Sequence, residues 1–255
     1  MRLFAIGDVV GSVGCRFLRE KLPAFKRYKG IDVVIANAEN SADGNGVTAK
    51  SVRYLLDSGV DLLTGGNHSF RRRETYDLYD ECEQLLRPAN FPSGAPGRGF
   101  AVLDFGRVQL GVLNLLGTVY MEAMDNPFYA ADALLKDAPK MTVVDFHAEA
   151  TGEKRSLGYY LDGRVSAVWG THTHVQTSDA CVLPKGTGYT SDLGMTGPVE
   201  SVLGVKPELT IQKMRTKMPV RFALVQEGPM KLNGCLFDLD EKTGRCRSAE
   251  AVELR

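Results

Sequence analysis

Two histidines, two positions apart, follow a strand-like apolar run in the C-terminal half of the chain. The run covers residues 165–169, and the sequence GTHTH that follows contains His172 and His174. In an extended chain, residues i and i+2 lie on one face, so both imidazoles can point into one cavity. The other two of the four histidines, His68 and His147, also follow apolar runs. This placement of every histidine predicts a metal-assisted site.

Length and charge limit the class of protein. The 255 residues are enough for one large domain, and we expect residues 1–255 to form it. The formal net charge is zero, which argues against broad nucleic-acid or membrane binding. No apolar run approaches the roughly 18 residues of a membrane span. We therefore expect a cytoplasmic protein that can form a homo-oligomer and whose five scattered cysteines are reduced thiols.

Strand and helix patterns alternate through most of the sequence. This predicts an α/β sandwich with a largely parallel centre and antiparallel additions. The spacing predicts a helix over 15–28 that kinks or restarts at Pro23, and another helix over 73–85. Residues 220–226 are typical of a closing antiparallel strand. The glycine-bearing stretch 190–198 is interpreted either as a plain loop or as a lid over the site.

Five predicted strands end at side chains that can bind metal. In open α/β sheets, ligands gather at the carboxyl ends of strands, so these side chains are expected to meet. Imidazole mixed with carboxylate and amide oxygen suits iron, manganese or zinc. Seven or eight donors are too many for one tetrahedral ion but suit two ions with a shared bridge. The donors at the strand ends are Asp8, Glu39, Asn67, His147, His172 and His174.

Formal charge connects this predicted dinuclear site to phosphate chemistry. Two divalent ions carry about +4, and the carboxylates of Asp8 and Glu39 together contribute about −2. The residual charge of about +2 favours hydroxide and phosphate oxygens. Phosphoester hydrolysis has to bring these two groups together.

The ordered motifs resemble those of the calcineurin-like metallophosphoesterases. The motifs are GD at 7–8, EN at 39–40, GNH at 66–68, His147, and GTHTH at 170–174. The resemblance spans residues 8 to 174 and has the order and spacing of that superfamily. It implies a metallophosphoesterase sandwich of mixed β-sheets flanked by helices.

Two departures point to one branch of the superfamily. Val10 stands where a histidine is usual, and Glu39 followed by Asn40 stands where an aspartate is usual. The YmdB-like bacterial 2′,3′-cyclic-nucleotide 2′-phosphodiesterases share both departures. The stretches 39–46 and 190–198 also resemble that branch, and the resemblance covers nearly the whole chain.

The resemblance implies a role for each site residue. Asn40 takes the place that Val10 cannot fill, although it can also be read as a turn former that caps the loop. His68 is implied to be a proton donor rather than a ligand. Asp145 and Glu149, beside His147, are interpreted as surface groups or as outer contacts of the ligands. The implied ligands are Asp8, Glu39, Asn40 and His174 for the first ion, and Glu39, Asn67, His147 and His172 for the second.

The resemblance also implies the reaction. We expect a phosphodiesterase that hydrolyses a small cyclic nucleotide, chiefly the 2′,3′-cyclic kind at the 2′ ester. In this hypothesis, a hydroxide bridging two ions, chiefly iron with manganese, zinc or magnesium as substitutes, attacks phosphorus while His68 protonates the leaving oxygen. The alternatives are a broad phosphomonoesterase or nuclease, and a nucleotide-binding regulatory protein with little turnover. Arg71, Arg72 and Arg73 either contact a substrate phosphate or an RNA end, or start a solvated helix.

Overall fold

The computed structural model describes residues 1–255 and contains two mixed β-sheets with helices on their outer faces. The strands are β1 (Arg2–Ile6), β2 (Asp8–Val9), β3 (Val33–Asn37), β4 (Leu62–Thr64), β5 (Phe100–Asp104), β6 (Gln109–Leu116), β7 (Met141–His147), β8 (Ala167–Thr171), β9 (Cys181–Val182), β10 (Gly188–Thr190), β11 (Met195–Pro198), β12 (Met230–Leu239) and β13 (Cys246–Leu254). The helices are α1 (Gly11–Lys29), α2 (Ala49–Leu56), α3 (Tyr76–Glu81), α4 (Pro127–Leu134), α5 (Thr151–Leu161) and α6 (Pro207–Thr216).

The sheet topology confirms the predicted arrangement. The seven-stranded sheet has the order β2-β11-β12-β1-β3-β4, with β13 also paired to β12. The six-stranded sheet has the order β5-β6-β7-β8-β10-β9. Strands β1, β3 and β4 are mutually parallel, as are β6, β7, β8 and β10, whereas β12 runs antiparallel to its neighbours. Because the parallel strands share a direction, their carboxyl ends lie at one edge of each sheet.

Alternating side chains divide the core into layers. In β1, Leu3 belongs to the apolar cluster between the two sheets, whereas Phe4 faces the layer that contains α1 and α2. Trp169 of β8 stacks on Phe237 of β12 across the sheet interface, with ring centroids 5.8 Å apart. Burying each such side chain stabilises the fold by roughly 1.5–3 kcal/mol. The sandwich thus fixes both sheet edges relative to each other.

Helix α1 differs from its prediction. It begins at Gly11 and continues through Pro23 to Lys29 without a break, so the predicted restart at Pro23 was wrong. Proline removes one helical hydrogen bond, to the carbonyl of Arg19 four residues earlier. Both Pro23 and Arg19 are exposed, so that carbonyl can be hydrated. The buried face of the helix, with Leu18 and Leu22, remains intact.

The predicted helix over 73–85 was also too long. A 3-10 turn, Arg73–Thr75, precedes α3, which ends at Glu81. The following residues extend along β4 instead, where the Leu63 amide donates to the Gln84 carbonyl at 2.8 Å. Leu85 and Leu86 are fully buried there. Burying these two side chains at the sheet edge favours the extended conformation over a longer helix.

Two other predicted segments were wrong. Residues 220–226 form no strand and make only an isolated bridge, between Leu224 and Val205. Neighbouring β12 already pairs with β1, β11 and β13, so no edge is free for them. Residues 190–198 are neither a plain loop nor a lid, because they are buried and include β11, which pairs with β2 and β12.

None of the helices combines the length and apolar character needed to span a bilayer.

Candidate metal centre

The carboxyl ends of strands from both sheets bring all eight predicted site residues together. Asp8 begins β2 directly after β1, and His147 is the last residue of β7. The remaining residues lie in the turns that follow β3, β4 and β8. These residues are Glu39 and Asn40, Asn67 and His68, and His172 and His174.

One group of donors surrounds the imidazole of His147. Its Nε2 atom lies 3.1 Å from Glu39 Oε1, 3.0 Å from His172 Nδ1 and 3.0 Å from Asn67 Oδ1. The ligand atoms of Glu39, His147 and His172 all lie within 4.8 Å of one another. Imidazole and oxygen donors this close can converge on a single cation.

A second group surrounds the side-chain amide of Asn40. Its Nδ2 atom lies 3.3 Å from Asp8 Oδ1, 3.2 Å from His174 Nε2 and 3.4 Å from Glu39 Oε1. Turning this amide by 180° would present its oxygen to the same three side chains, and O/N assignment in an amide follows from its partners. Glu39 therefore contacts both groups.

Gly66 makes room for these donors. A Cβ atom at this position would overlap both Glu39 and the imidazole of His147. Only glycine allows the carboxylate and the ring to approach this close to the backbone. The space that Gly66 leaves, together with the mixed carboxylate, amide and imidazole donors, fits the binding of divalent metal.

Comparison with known proteins places the chain in a family. The model of YmdB-like proteins matches residues 4–252. The chain belongs to the YmdB-like family. It is 45% identical over 255 residues to a 2′,3′-cyclic-nucleotide 2′-phosphodiesterase of Bacillus subtilis (strain 168), covering 99% of this chain and 96% of that protein.

Solved structures agree with the fold of the YmdB-like chain. A structure described as a novel phosphatase from Mycoplasma pneumoniae has a TM-score of 0.95 at 33% identity, covering 100% of this chain and 93% of that one. A putative 5′-nucleotidase from Staphylococcus aureus has a TM-score of 0.63 at 14% identity, covering 98% of this chain and 53% of that one. The predicted calcineurin-like sandwich is thereby confirmed.

Buried carboxylates and imidazoles in the YmdB-like site shift one another's pKa values. Burial raises the pKa of Glu39, but the charge and hydrogen bond of His147 together with the charge of His68 outweigh burial, so the pKa ends below its usual range. Burial likewise raises the pKa of Asp8, and His174 and His147 together bring it well below normal. Burial lowers the pKa of His147, yet Glu39 and Asp8 raise it to about 9. Without a cation, a protonated His147 thus offsets the buried carboxylates.

Metal binding to the YmdB-like chain should therefore release protons. A ligating imidazole must be neutral, and below about pH 9 His147 is protonated in the metal-free protein. We expect the apparent metal affinity to rise about tenfold per pH unit from pH 6 to 8 for each proton released. Calorimetric titration with Mn²⁺ in buffers of different ionisation enthalpy measures this release. A binding heat independent of the buffer at pH 7 would contradict the prediction.

Buried groups behind His147 hold its ring. Its Nδ1 lies 2.9 Å from Thr171 Oγ1, which donates to Asp145 Oδ1 at 2.7 Å. Asp145 is fully buried, so the surface interpretation was wrong, and its carboxylate reaches His147 through the Thr171 hydroxyl. Burial raises the pKa of Asp145 to about 6. Glu149 is half-exposed and reaches His172 Nε2 at 3.1 Å. Such partners fix the tautomer and orientation of a metal-binding histidine.

A buried ion pair supports the paired-histidine turn. His172 and His174 have φ of 102° and 63°, which side chains rarely adopt. Between them, the amide of Thr173 donates to Asp192 Oδ2 at 3.1 Å. Lys154 Nζ donates to the same oxygen at 2.7 Å. The predictions from sequence missed this contact, because nothing near Asp192 or Lys154 in the sequence indicates that they meet.

Removing the lysine should destabilise the YmdB-like fold. In Lys154→Met, the buried Asp192 loses its counter-charge, and we expect the free energy of unfolding to fall by about 3–5 kcal/mol. Urea unfolding monitored by circular dichroism measures this loss. The matched control is Arg164→Met, which breaks the half-exposed pair with Asp132 and should cost much less. Equal losses in the two variants would argue against a special role for the buried pair.

His68 lies beside the donors without joining either group. Its backbone amide donates to Glu39 Oε2 at 2.9 Å, and its Nδ1 lies 2.9 Å from Asn40 Oδ1. Its Nε2 makes no hydrogen bond within the protein, and the side chain is 28% exposed. The ring is thus oriented at one nitrogen and open at the other.

Proposed function

We propose that the chain is a two-metal phosphodiesterase that hydrolyses 2′,3′-cyclic nucleotides at the 2′ ester. Membership of the YmdB-like family makes it a hydrolytic enzyme of the phosphodiesterase and phosphatase type. The observation that carries the finer proposal is Glu39, which contacts two donor groups beside an imidazole with a free nitrogen. The identity to the Bacillus subtilis enzyme supports the choice of substrate.

The two donor groups divide the proposed ligands. The metal pair, when bound, supplies water activation and Lewis-acid compensation of phosphate charge. Mixed nitrogen and oxygen donors suit iron, with manganese, zinc or magnesium as substitutes. Asp8, Glu39, Asn40 and His174 would hold one cation, and Glu39, Asn67, His147 and His172 the other.

We propose His68 as the proton donor to the leaving ribose oxygen. Its Nδ1 faces the Asn40 side chain, so Nε2 is the nitrogen that can carry a proton toward substrate. As a general acid, His68 acts as the imidazolium: Nδ1–H donates to Asn40 Oδ1 at 2.9 Å, and Nε2 carries the proton that can be transferred. The contacts with Asn40 and Glu39 then keep the ring pointed at the leaving group.

A panel of substrates tests the proposal. Metal-loaded and metal-depleted protein are compared on a 2′,3′-cyclic nucleotide, a 3′,5′-cyclic nucleotide, a linear phosphodiester and a phosphomonoester. We expect the highest kcat/KM on the 2′,3′-cyclic nucleotide, with the nucleoside 3′-phosphate as the product because the 2′ ester opens. The nucleoside 2′-phosphate as main product, or turnover independent of metal, would refute the proposal.

The same panel tests the two alternatives. The name of the Mycoplasma pneumoniae phosphatase favours a broad phosphomonoesterase on the same metal pair, which would hydrolyse the monoester best. A regulatory protein would bind nucleotide without metal-dependent turnover. We also propose that residues 1–255 act as one domain, because the two sheets share one core. A cytoplasmic location and a homo-oligomeric state stay predictions.

A further inference from the structure

A cavity of about 750 Å³ opens beside His68, outside the two donor groups. This volume lies within the roughly 300–1,000 Å³ of small-molecule sites. One wall consists of residues 43–45 with Arg71 and Arg72, and the other contains Arg221, Phe222 and Leu224. Because His68 lines the cavity, a substrate with its phosphorus at the donors would extend into it.

The second wall belongs to residues 199–229, here named the outer segment. The outer segment contacts the candidate metal centre, because His174 Nδ1 donates to the Leu203 carbonyl at 3.1 Å. Backbone bonds inside the segment join Lys206 to Ala223 at 3.0 Å and Val225 to Gly204 at 3.0 Å. These bonds connect the stretch after Phe222 to the part of the segment that contacts His174.

The three cavity arginines differ in their partners. Arg72 is occupied, because it donates to the carbonyls of Asn45 and Ala42 at 3.0 Å each and lies 3.5 Å from Asp43. Arg71 and Arg221 are exposed, line the same cavity, and make no side-chain hydrogen bond or ion pair within the protein. Two uncompensated guanidinium groups therefore face one cavity from opposite walls.

The charge of a cyclic mononucleotide does not account for these two arginines. Its phosphodiester carries a single negative charge, which the metal pair would already offset. Guanidinium groups bind phosphate with paired hydrogen bonds, so free arginines indicate a second phosphate. Phe222 is 49% exposed and offers a ring face on which a nucleobase can stack.

We infer that this cavity binds a second phosphate and a neighbouring nucleobase, so that the preferred substrate is the 2′,3′-cyclic phosphate end of a short oligoribonucleotide. The inference rests on the proposed function and narrows its substrate class. Arg71 and Arg221 contact the phosphate on the 5′ side of the terminal ribose, and Phe222 stacks on a base. The formal net charge of zero for the whole chain is compatible with binding a short RNA end, since only the residues around this cavity would contact it.

Kinetics on matched substrates test the inference. A dinucleotide with a terminal 2′,3′-cyclic phosphate is compared with the cyclic mononucleotide of the same terminal base. We expect wild-type kcat/KM to be about tenfold or more higher on the dinucleotide. The mononucleotide bearing a 5′-phosphate separates the contribution of the phosphate from that of the second nucleoside.

The variants identify the residues responsible. Arg71→Gln and Arg221→Gln should each lower kcat/KM on the dinucleotide about tenfold, and change it on the unphosphorylated mononucleotide less than about threefold. Phe222→Leu should also cost about tenfold, and Phe222→Trp should retain activity because stacking is kept. Arg73→Gln is the matched control, since Arg73 is exposed and lines no part of this cavity.

Failure of the inference can be distinguished from failure of the proposed function. Hydrolysis of the cyclic mononucleotide without preference for the dinucleotide overturns the inference alone. If wild type hydrolyses no cyclic phosphodiester, the proposed function fails, and binding of a dinucleotide 3′-phosphate still tests the cavity. About a hundredfold weaker binding to the Arg71→Gln/Arg221→Gln double variant then supports the cavity assignment, whereas equal binding overturns it.

Discussion

Glu39→Gln is expected to lower kcat/KM on a 2′,3′-cyclic nucleotide on the order of a thousandfold or more. The substitution keeps the shape of the side chain but removes the buried negative charge that contacts both donor groups, through His147 and Asn40. A neutral amide bridges two cations poorly, so we expect fewer than two ions bound per chain. Metal analysis by mass spectrometry, measured with kcat/KM on the same sample, checks both effects.

The matched control for this variant is Glu149→Gln. Glu149 is half-exposed and contacts only His172 among the proposed ligands, so its loss should leave both ions bound and most activity intact. Thermal unfolding of the metal-free proteins shows whether Glu39→Gln affects the fold itself. Two ions with full activity in Glu39→Gln would refute a bridging role.

His68→Ala is expected to lower kcat on a 2′,3′-cyclic nucleotide about a hundredfold or more while both ions stay bound. The ring belongs to neither donor group, and its free Nε2 is the atom proposed to protonate the leaving ribose oxygen. The effect should be small on an aryl phosphodiester such as bis(p-nitrophenyl) phosphate, because a nitrophenolate leaves without a proton. Parallel assays on the two substrates measure the difference.

The pH dependence gives an independent readout for His68. Burial lowers the pKa of His68, and a general acid works only when protonated, so the advantage of wild type over His68→Ala should shrink as pH rises through that pKa. An Asn40→Ala variant should disturb both metal content and this profile, since Asn40 contacts His68 and the first donor group. Loss of metal from His68→Ala would instead identify His68 as a ligand.

The site residues could be found from the sequence because each follows a buried strand. A parallel strand buried on both faces reads as a run of apolar residues, so a polar side chain at its end stands out. Glu39 after β3 and His147 at the end of β7 are such cases. The topology then brings strand ends together without further information, because parallel strands end at one edge.

The groups that support the ligands could not be found in this way. Thr171 and Asp145 lie within strands, and only pairing of β7 with β8 brings them against His147. One signal was present: a polar residue in an otherwise apolar strand requires a buried partner. The buried pair of Lys154 and Asp192 joins a helix to a loop between two strands, 38 residues away in the sequence.

The sequence alone indicated the alternation of strands and helices and the metal-competent side chains at strand ends, since apolar periodicity and strand-end chemistry are local properties of the chain. The separate role of His68 came from the resemblance to the superfamily. Only the tertiary structure decided that residues 190–198 are buried in the sheet and that residues 220–226 line a cavity instead of pairing. The physical reason is competition for strand edges and for burial. A segment with strand-like alternation joins a sheet only where an edge is free, and that depends on every other strand.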